Sequence, residues 1–593
     1  MSDLFVPTGD HDPDLALSAA GLLAAFNRAG VLTAADIHVT TTLGHLTAES
    51  DEHVLLAAAL ATRAVRHGSV CVDLAETVEG APPEFPWPHG PQWAAAVGAS
   101  RLVAAGVLRV EETLVYLTRY HAQESQVLHD LTRRAARVPS FDPVLAAATL
   151  DRVFPEDSYA EQRAVGRSAV GQWTTVLTGG PGTGKTTAVA GLLVALHEQS
   201  QVTGGSVRIA LAAPTGRAAA QLQAAVDASA AQFSAEDAAR VRGLEAMTLH
   251  RLLGRQPDNA TRFRHHRGNK LPHDVVVVDE TSMVSLTMMA RLLEAVRPDA
   301  RLVLVGDPDQ LASVEAGAVL ADLVRGYAAR PDSPVAALHT THRFAGGVGT
   351  LAAALRGDDV EEVLGVLRDG LADVEWVDAP DPTSALRTLL STRAQALRAA
   401  AKRDATVALA DLGAHRLLCA HRDGPRGVRH WNRRVEQWLA EAGDVDVRDP
   451  AYVGRPVLIT TNDHALGVYN GDAGVVVNTG SGPRVALPAA ARSGTAGALR
   501  TFATSRLPEL ETMHAMTIHK SQGSQATEVT VLLPEVDSRL LTRELLYTAV
   551  TRAQKRVRVV GTESELRAAF ERRVHRASGL GDRIRNAPVT PAR

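Results

Sequence analysis

Residues 176–188 read VLTGGPGTGKTTA, an apolar run that ends in a glycine-rich turn and opens into a second apolar stretch. Gly179, Gly184, Lys185 and Thr186 meet the Gly-x-x-x-x-Gly-Lys-Thr pattern of a phosphate-binding loop. Gly180, Pro181, Gly182 and Thr183 complete the loop, and Thr187 follows it into the next element. Backbone N–H groups of such a loop wrap a β-phosphate, and the helix behind it turns its positive end on the same anion. Lys185 supplies a mobile charge to the β and γ oxygens, while Thr186 offers a hydroxyl to Mg2+. Five of the 62 basic residues are lysines (Lys185, Lys270, Lys402, Lys520 and Lys555), so a lysine kept at 185 is informative. A compact ammonium fits inside the loop where a planar guanidinium does not. The implied chemistry is binding and hydrolysis of a nucleoside triphosphate.

Two further constellations serve the same reaction. VVVVDETSMV ends four valines on Asp279 and Glu280, and paired carboxylates at the end of a buried strand are costly unless used. Asp279 is suited to hold Mg2+ through water, and Glu280 to polarise the attacking water. LVLVGDPDQLASV places Gln310 at another strand end, where it senses the γ-phosphate or positions that water.

These groups need rigid elements behind them. At 593 residues the chain is too long for one core, and roughly 150 residues per domain predicts three or four. Residues 1–150 are Ala- and Leu-rich with helical spacing, which predicts a mostly helical N-terminal domain. From 151 to 330, short β-branched runs alternate with helical stretches, as in a parallel sheet buried on both faces. A second set of runs over 331–450 and 506–575 predicts a second α/β domain. Between them, 451–505 carries short strands and the turn signal Asn470-Gly471-Asp472, read as a small inserted β-barrel of SH3-like type. Residues 576–593 read as a disordered tail.

Composition narrows the class. Hydrophobic residues make up 45% and charged residues 22%, and no apolar run approaches the roughly 20 residues of a membrane helix. The acidic start lacks a secretory pattern, so the expectation is cytoplasmic. Cys71 and Cys419 lie far apart in apolar runs and are read as inert core thiols. A net charge of -4 does not advertise nucleic-acid binding, although a basic groove is a local property.

The ordered motifs resemble superfamily 1 helicases of the 5' to 3' branch, and within them the RecD family, the alpha subunits of exodeoxyribonuclease V. The resemblance implies two RecA-like P-loop NTPase domains that use ATP and Mg2+. AAPTGRAA and MTLHRLLG resemble segments that grip single-stranded DNA, which implicates Pro214, Thr215, Arg217, Thr248 and His250. THRFAGG supplies Arg343 and LLYTAVTRAQKRV supplies Arg552, two arginines that the resemblance sends across the cleft to the triphosphate. HAMTIHKSQGSQ is similar to the segment that couples DNA to ATP, with Thr517, His519, Ser521, Gln522 and Gly523 contributing. Gln162 resembles a glutamine that reads adenine, with a solvent-facing helical glutamine as the bland alternative.

The basic stretch GRQPDNATRFRHHRGNKLPHD, a pin-like insertion near 255–272, is either a solvated loop or a hairpin that splits the duplex. In the second case Phe263 and His265 are candidates to meet bases. The resemblance further implies partners: single-stranded DNA, double-stranded DNA ends, and RecB-like and RecC-like subunits docked on the N-terminal domain. A stand-alone RecD-like helicase and an ATP-gated regulatory scaffold are the alternatives. No acidic-lysine nuclease cluster is visible, so nuclease activity is expected in a partner chain.

Overall fold

A computed structural model describes residues 5–589 apart from 6, 10, 80–85, 89, 203, 257–258, 342–345, 444, 464, 481, 489–498 and 508, and leaves out the side chains of 78–79, 90–91 and 259–261. The fold is α/β, with two parallel sheets among its described elements. Helices Gly21–Arg28, Ala34–Thr47 and Glu52–Arg66 surround Phe26, Ile37, Leu56 and Leu60, and Ala57, Ala58, Ala59 and Ala61 let the last of them pack closely. Asp51 caps that helix, its carboxylate accepting from His53 N at 2.8 Å. Sequence reading foresaw the helices; beside them lies a small antiparallel sheet of Cys71–Asp73, Leu114–Leu117 and Leu108–Glu111.

Helix Thr118–Ala135 joins this unit to the next through one buried cation. Arg134 donates to Thr174 Oγ1 (2.7 Å), to the carbonyls of Trp173 (2.6 Å) and Arg297 (2.9 Å), and to the carbonyl of Ala300. Burial without a facing carboxylate in contact lowers its guanidinium to about 10.

The first α/β domain holds, among the described residues, six parallel strands in the order Val335–Leu338, Thr174–Gly179, Arg301–Gly306, Val275–Val278, Ile209–Ala213 and Ala246–Thr248. Continuous valine runs suit a sheet covered on both faces, and Val275 to Val278 are at most 2% exposed. The register pairs Gly306 with Thr178, Leu304 with Val278, and Ala213 with Thr248. Gly179, Asp279, Asp307, Pro214 and Leu249 therefore leave the sheet along one carboxyl edge, the edge where open α/β sheets bind ligands.

The second α/β domain repeats the plan with Val374–Val377, Ala553–Val560, Ala526–Leu532, His415–Cys419 and Ala515–Thr517, again parallel. Inserted in it is an antiparallel sheet ordered Arg500–Phe502, Gly482–Leu487, Ala473–Thr479, Pro456–Ile459 and Leu510–Thr512. The insert thus runs past 505 to Thr512; its closing strand LET is too short to show an alternation in sequence. Among the described residues its two outer strands are not paired with each other. Asn470-Gly471-Asp472 is a turn as foreseen, with Gly471 at φ +95°.

The expected disordered tail is instead a helix over Leu580–Asn586, while 590–593 lie outside the described residues. Leu580 and Ile584, one turn apart, bury against helix Val319–Tyr327, and Arg330 donates to the Ile584 carbonyl at 2.8 Å. A polar composition with two apolar residues at helical spacing hid this docking. Both cysteines are buried and free, and burial pushes both thiols up.

Candidate nucleotide and nucleic-acid site

The turn after strand Thr174–Gly179 closes on itself. Gly182 and Gly184 sit at φ +82° and +83°, where any side chain is strained. A Cβ on Gly179 would stand 2.6 Å from Thr183 Oγ1 and 2.8 Å from the Leu338 carbonyl. Thr183 Oγ1 donates to the Gly180 carbonyl (2.9 Å), and the Lys185 ammonium donates to the carbonyls of Gly179 (2.6 Å) and Gly180 (2.9 Å). Helix Lys185–Val202 then starts with Thr186 half-buried in its first turn, and Thr187 Oγ1 accepts from Ser229 at 3.4 Å. Pro181 is half-buried in the same loop.

Gln162 is fully buried behind the loop, and its amide donates to the Thr183 carbonyl at 3.0 Å. The solvent-facing alternative does not match that position; the side chain braces the loop. Its neighbour Glu161 accepts from the His339 and Thr340 amides and the Thr340 hydroxyl, which ties the segment leading to Arg343 to the same helix. Arg343 itself lies outside the described residues.

Asp279 and Glu280 follow strand Val275–Val278 as foreseen. Burial first, and then the Glu280 charge, push the Asp279 carboxyl up to about 6, while the Glu280 amide (2.8 Å) and the Lys185 ammonium pull it down. Glu280 holds φ +49°, a left-handed conformation that a non-glycine residue adopts only under constraint. Its carbonyl accepts from Met283 and starts the short turn Thr281–Met283.

The far wall comes from the second domain. Gln310 and Tyr547 both donate to Asp307 Oδ2, each at 3.0 Å. The Leu311 amide donates to Thr548 Oγ1 (2.9 Å), and the Gln522 amide group to the Leu311 carbonyl (3.0 Å). The Tyr547 hydroxyl also stands 3.3 Å from where a Cβ on Gly180 would be. Asp307, Tyr547 and Thr548 were missed by sequence reasoning, although LLYTAVTRAQ carries the last two beside Arg552. Arg552 is 4% exposed and bonds its own helix, through Thr548 O (3.1 Å) and Thr551 Oγ1 (3.4 Å). No bond of Arg552 among the described residues reaches the phosphate loop.

The segments read as DNA-gripping share one local device. Thr248 and Thr517 end a strand, Thr215 stands two residues past one, and each caps the helix that follows, accepting from Arg251 (3.3 Å), Lys520 (3.2 Å) and Ala218 (3.2 Å) respectively. Helix starts of this kind present free N–H groups to a phosphate. Pro214 sits beside the first of them, half-buried. Arg217 turns to the insert, donating to the Gly471 carbonyl at 3.3 Å, and burial lowers its guanidinium. His250 packs its ring 5.8 Å from Phe263, and burial depresses both His250 and His519, the latter with help from Arg576.

The basic insertion does form a hairpin, Arg255–Gln256 against Asn259–Phe263. Phe263 is nonetheless 8% exposed within the first domain's core, and His265 is 9% exposed beneath Arg264 and the Lys270 carbonyl. Neither is free to meet a base, because the aromatic and the imidazole are spent on seating the hairpin.

Three family profiles match the chain: an AAA domain over 161–316, a UvrD-like helicase C-terminal domain over 512–560, and the N-terminal domain of RecBCD enzyme subunit RecD over 28–115. The RecBCD enzyme subunit RecD of Mycobacterium tuberculosis is 55% identical over 585 residues, covering 97% of this chain and 99% of that protein. Its counterpart in Mycolicibacterium smegmatis is 56% identical, covering 96% and 100%. The ATP-dependent RecD2 DNA helicase of Deinococcus radiodurans is 32% identical, covering 83% and 60%. Among solved structures, Pif1 helicase from Candida albicans aligns at 18% identity over 68% of this chain and 94% of that one, with a TM-score of 0.37, too loose to bear weight. With identity of this order along nearly its whole length, the chain belongs to the RecD family.

Proposed function

We propose that the chain is an ATP-dependent DNA helicase and translocase of the RecD type, moving 5' to 3' as one subunit of a complex with RecB-like and RecC-like chains at double-stranded DNA ends. The observation that carries it is the cleft itself: a phosphate loop in one parallel-sheet domain is roofed by Tyr547 of a second such domain, bonded to Asp307 at 3.0 Å. Lys185 binds the triphosphate, and Glu280 and Gln310 orient the attacking water. Thr186 and Asp279 offer one hydroxyl and one carboxylate, a hard oxygen pair that would hold Mg2+. Held there, the ion would supply positive charge against the phosphate oxygens. Arg343 and Arg552, from the second domain, make hydrolysis depend on closure. Closure alters the spacing between Thr215 and Thr248 on one domain and Thr517 and His519 on the other, and that change moves a bound strand.

The N-terminal profile match favours a complex subunit over a stand-alone motor. Nuclease activity belongs to a partner, the insert to an SH3-like barrel, and the setting is the cytoplasm; no described helix is long and apolar enough to cross a membrane. Co-purification of the tagged chain from its own cells, followed by unwinding of duplexes with 5' or 3' overhangs, tests the reading. Recovery of both partners and preference for the 5' overhang support it; a 3' preference, or a chain that hydrolyses no ATP on DNA, contradicts it.

A further inference from the structure

A cation outside all of the motifs above stands at the phosphate loop. Arg356 ends helix Gly347–Arg356 of the second motor domain and is exposed. Its Nη1 lies 3.6 Å, and its Cζ 4.0 Å, from where a Cβ on Gly180 would be. The carbonyl of that same glycine receives the Lys185 ammonium at 2.9 Å. Two cations, one from each motor domain, meet at a loop residue that has no side chain to separate them.

Among the described residues no carboxylate is bonded to Arg356, whose guanidinium makes no hydrogen bond or ion pair. Asp307, the nearest candidate on the loop side, already accepts from Tyr547 and Gln310. Asp309 feels the Arg356 charge, which opposes the rise that burial and the neighbouring Asp307 impose on its carboxyl, but no hydrogen bond or ion pair joins the two among the described residues. The base of the side chain is nonetheless anchored. Arg543 donates to the Gly357 carbonyl at 2.6 Å, just past the helix end, and stacks 3.6 Å over Phe570. The negative end of helix Gly347–Arg356 also favours a cation at its last residue. An unbonded guanidinium carried by an anchored helix end, beside a second cation, is an arrangement that an anion completes.

We propose that Arg356 binds the terminal phosphate of the triphosphate across the cleft, a third arginine contributed by the second domain. This rests on the reading that the Gly179–Thr186 turn binds ATP, and ADP binding reports on that reading separately. A bidentate guanidinium on the γ-phosphate stabilises the charge that develops there only while the two domains are together. Arg356 thereby makes the cleft discriminate ATP from ADP.

The test uses the full chain with single-stranded DNA and the variants Arg356→Ala, Arg356→Gln and Arg356→Lys. Affinities for fluorescent ADP and for a fluorescent non-hydrolysable ATP analogue are measured beside kcat/KM for ATP. The expected result is ADP affinity within about twofold of the parent, with analogue affinity and kcat/KM lower by roughly 10–100-fold in the neutral variants, the usual loss for a charge-assisted bond, and partly restored by lysine. Analogue affinity and kcat/KM equal to the parent, or ADP and analogue affinity falling together, would overturn the assignment. Absence of ADP binding in the parent chain would count against the phosphate loop itself. The glutamine variant keeps the comparison open where alanine impairs folding.

Discussion

The Tyr547 hydroxyl donates to the Asp307 carboxylate at 3.0 Å across two domains, on the same oxygen that Gln310 holds from within the first. One carboxylate oxygen therefore reads both the water-positioning glutamine and the position of the opposite domain. A change in either is felt by the other.

Tyr547→Phe removes the cross-domain bond while leaving Gln310 in place. Losing one buried bond to a charged group costs about 1.5–3 kcal/mol. DNA-stimulated ATP turnover should fall by roughly one to two decades, with ADP affinity little changed. Stimulation equal to the parent would show that Asp307 does not report closure.

Arg552→Ala should leave nucleotide binding nearly intact and cut turnover by up to about three to five decades if it acts as a full arginine finger. Its guanidinium is engaged with Thr548 and Thr551, so this role requires those bonds to yield during closure. Unchanged turnover would refute it.

Gln162→Ala should weaken ATP and GTP by the same factor, because the side chain braces the Thr183 carbonyl. Competition binding of the two nucleotides measures this. A loss confined to ATP would support the adenine-reading role instead.

Arg134→Met leaves three backbone carbonyls and a threonine hydroxyl without their buried donor. A destabilisation of about 3 kcal/mol is expected, seen as earlier proteolytic release of the N-terminal unit. Equal protease resistance would mean that the apolar contacts alone hold that junction.

His415 and His514 are depressed to about 3, both by burial first, with the Arg393 charge next for His415 and the Arg455 charge for His514. For a base whose folded value lies below its ordinary one, the unfolded chain binds the extra proton. Stability is therefore full above about pH 6.5 and declines toward pH 3, by about 1.4 kcal/mol per pH unit for each group. His514→Gln, which retains a partner for Tyr452, should lower the acid-unfolding midpoint; an unmoved midpoint would contradict this.

Much of this site was legible because its constraints are short-range. The glycines at 182 and 184, the lysine between turn and helix, and the carboxylates after four valines each follow from a few adjacent residues. Arg356, Asp307 and Tyr547 were not legible, since their meaning comes from two domains meeting, which no spacing encodes. Phe263 and His265 misled because a basic, turn-rich stretch does not say which of its side chains fold inward. The strand Leu510–Thr512 and the helix Leu580–Asn586 were missed for a shared reason: each is short, and tertiary contact rather than local pattern holds it.

The most direct test of the central claim, that the triphosphate brings the two motor domains together, is amide hydrogen exchange at Leu311. Its N–H donates to Thr548 Oγ1 of the other domain at 2.9 Å, so its protection reports closure. Protection at Leu311 should rise when a non-hydrolysable ATP analogue and single-stranded DNA bind together, and not with ADP. Equal exchange in the free, ADP-bound and analogue-bound states would contradict the account.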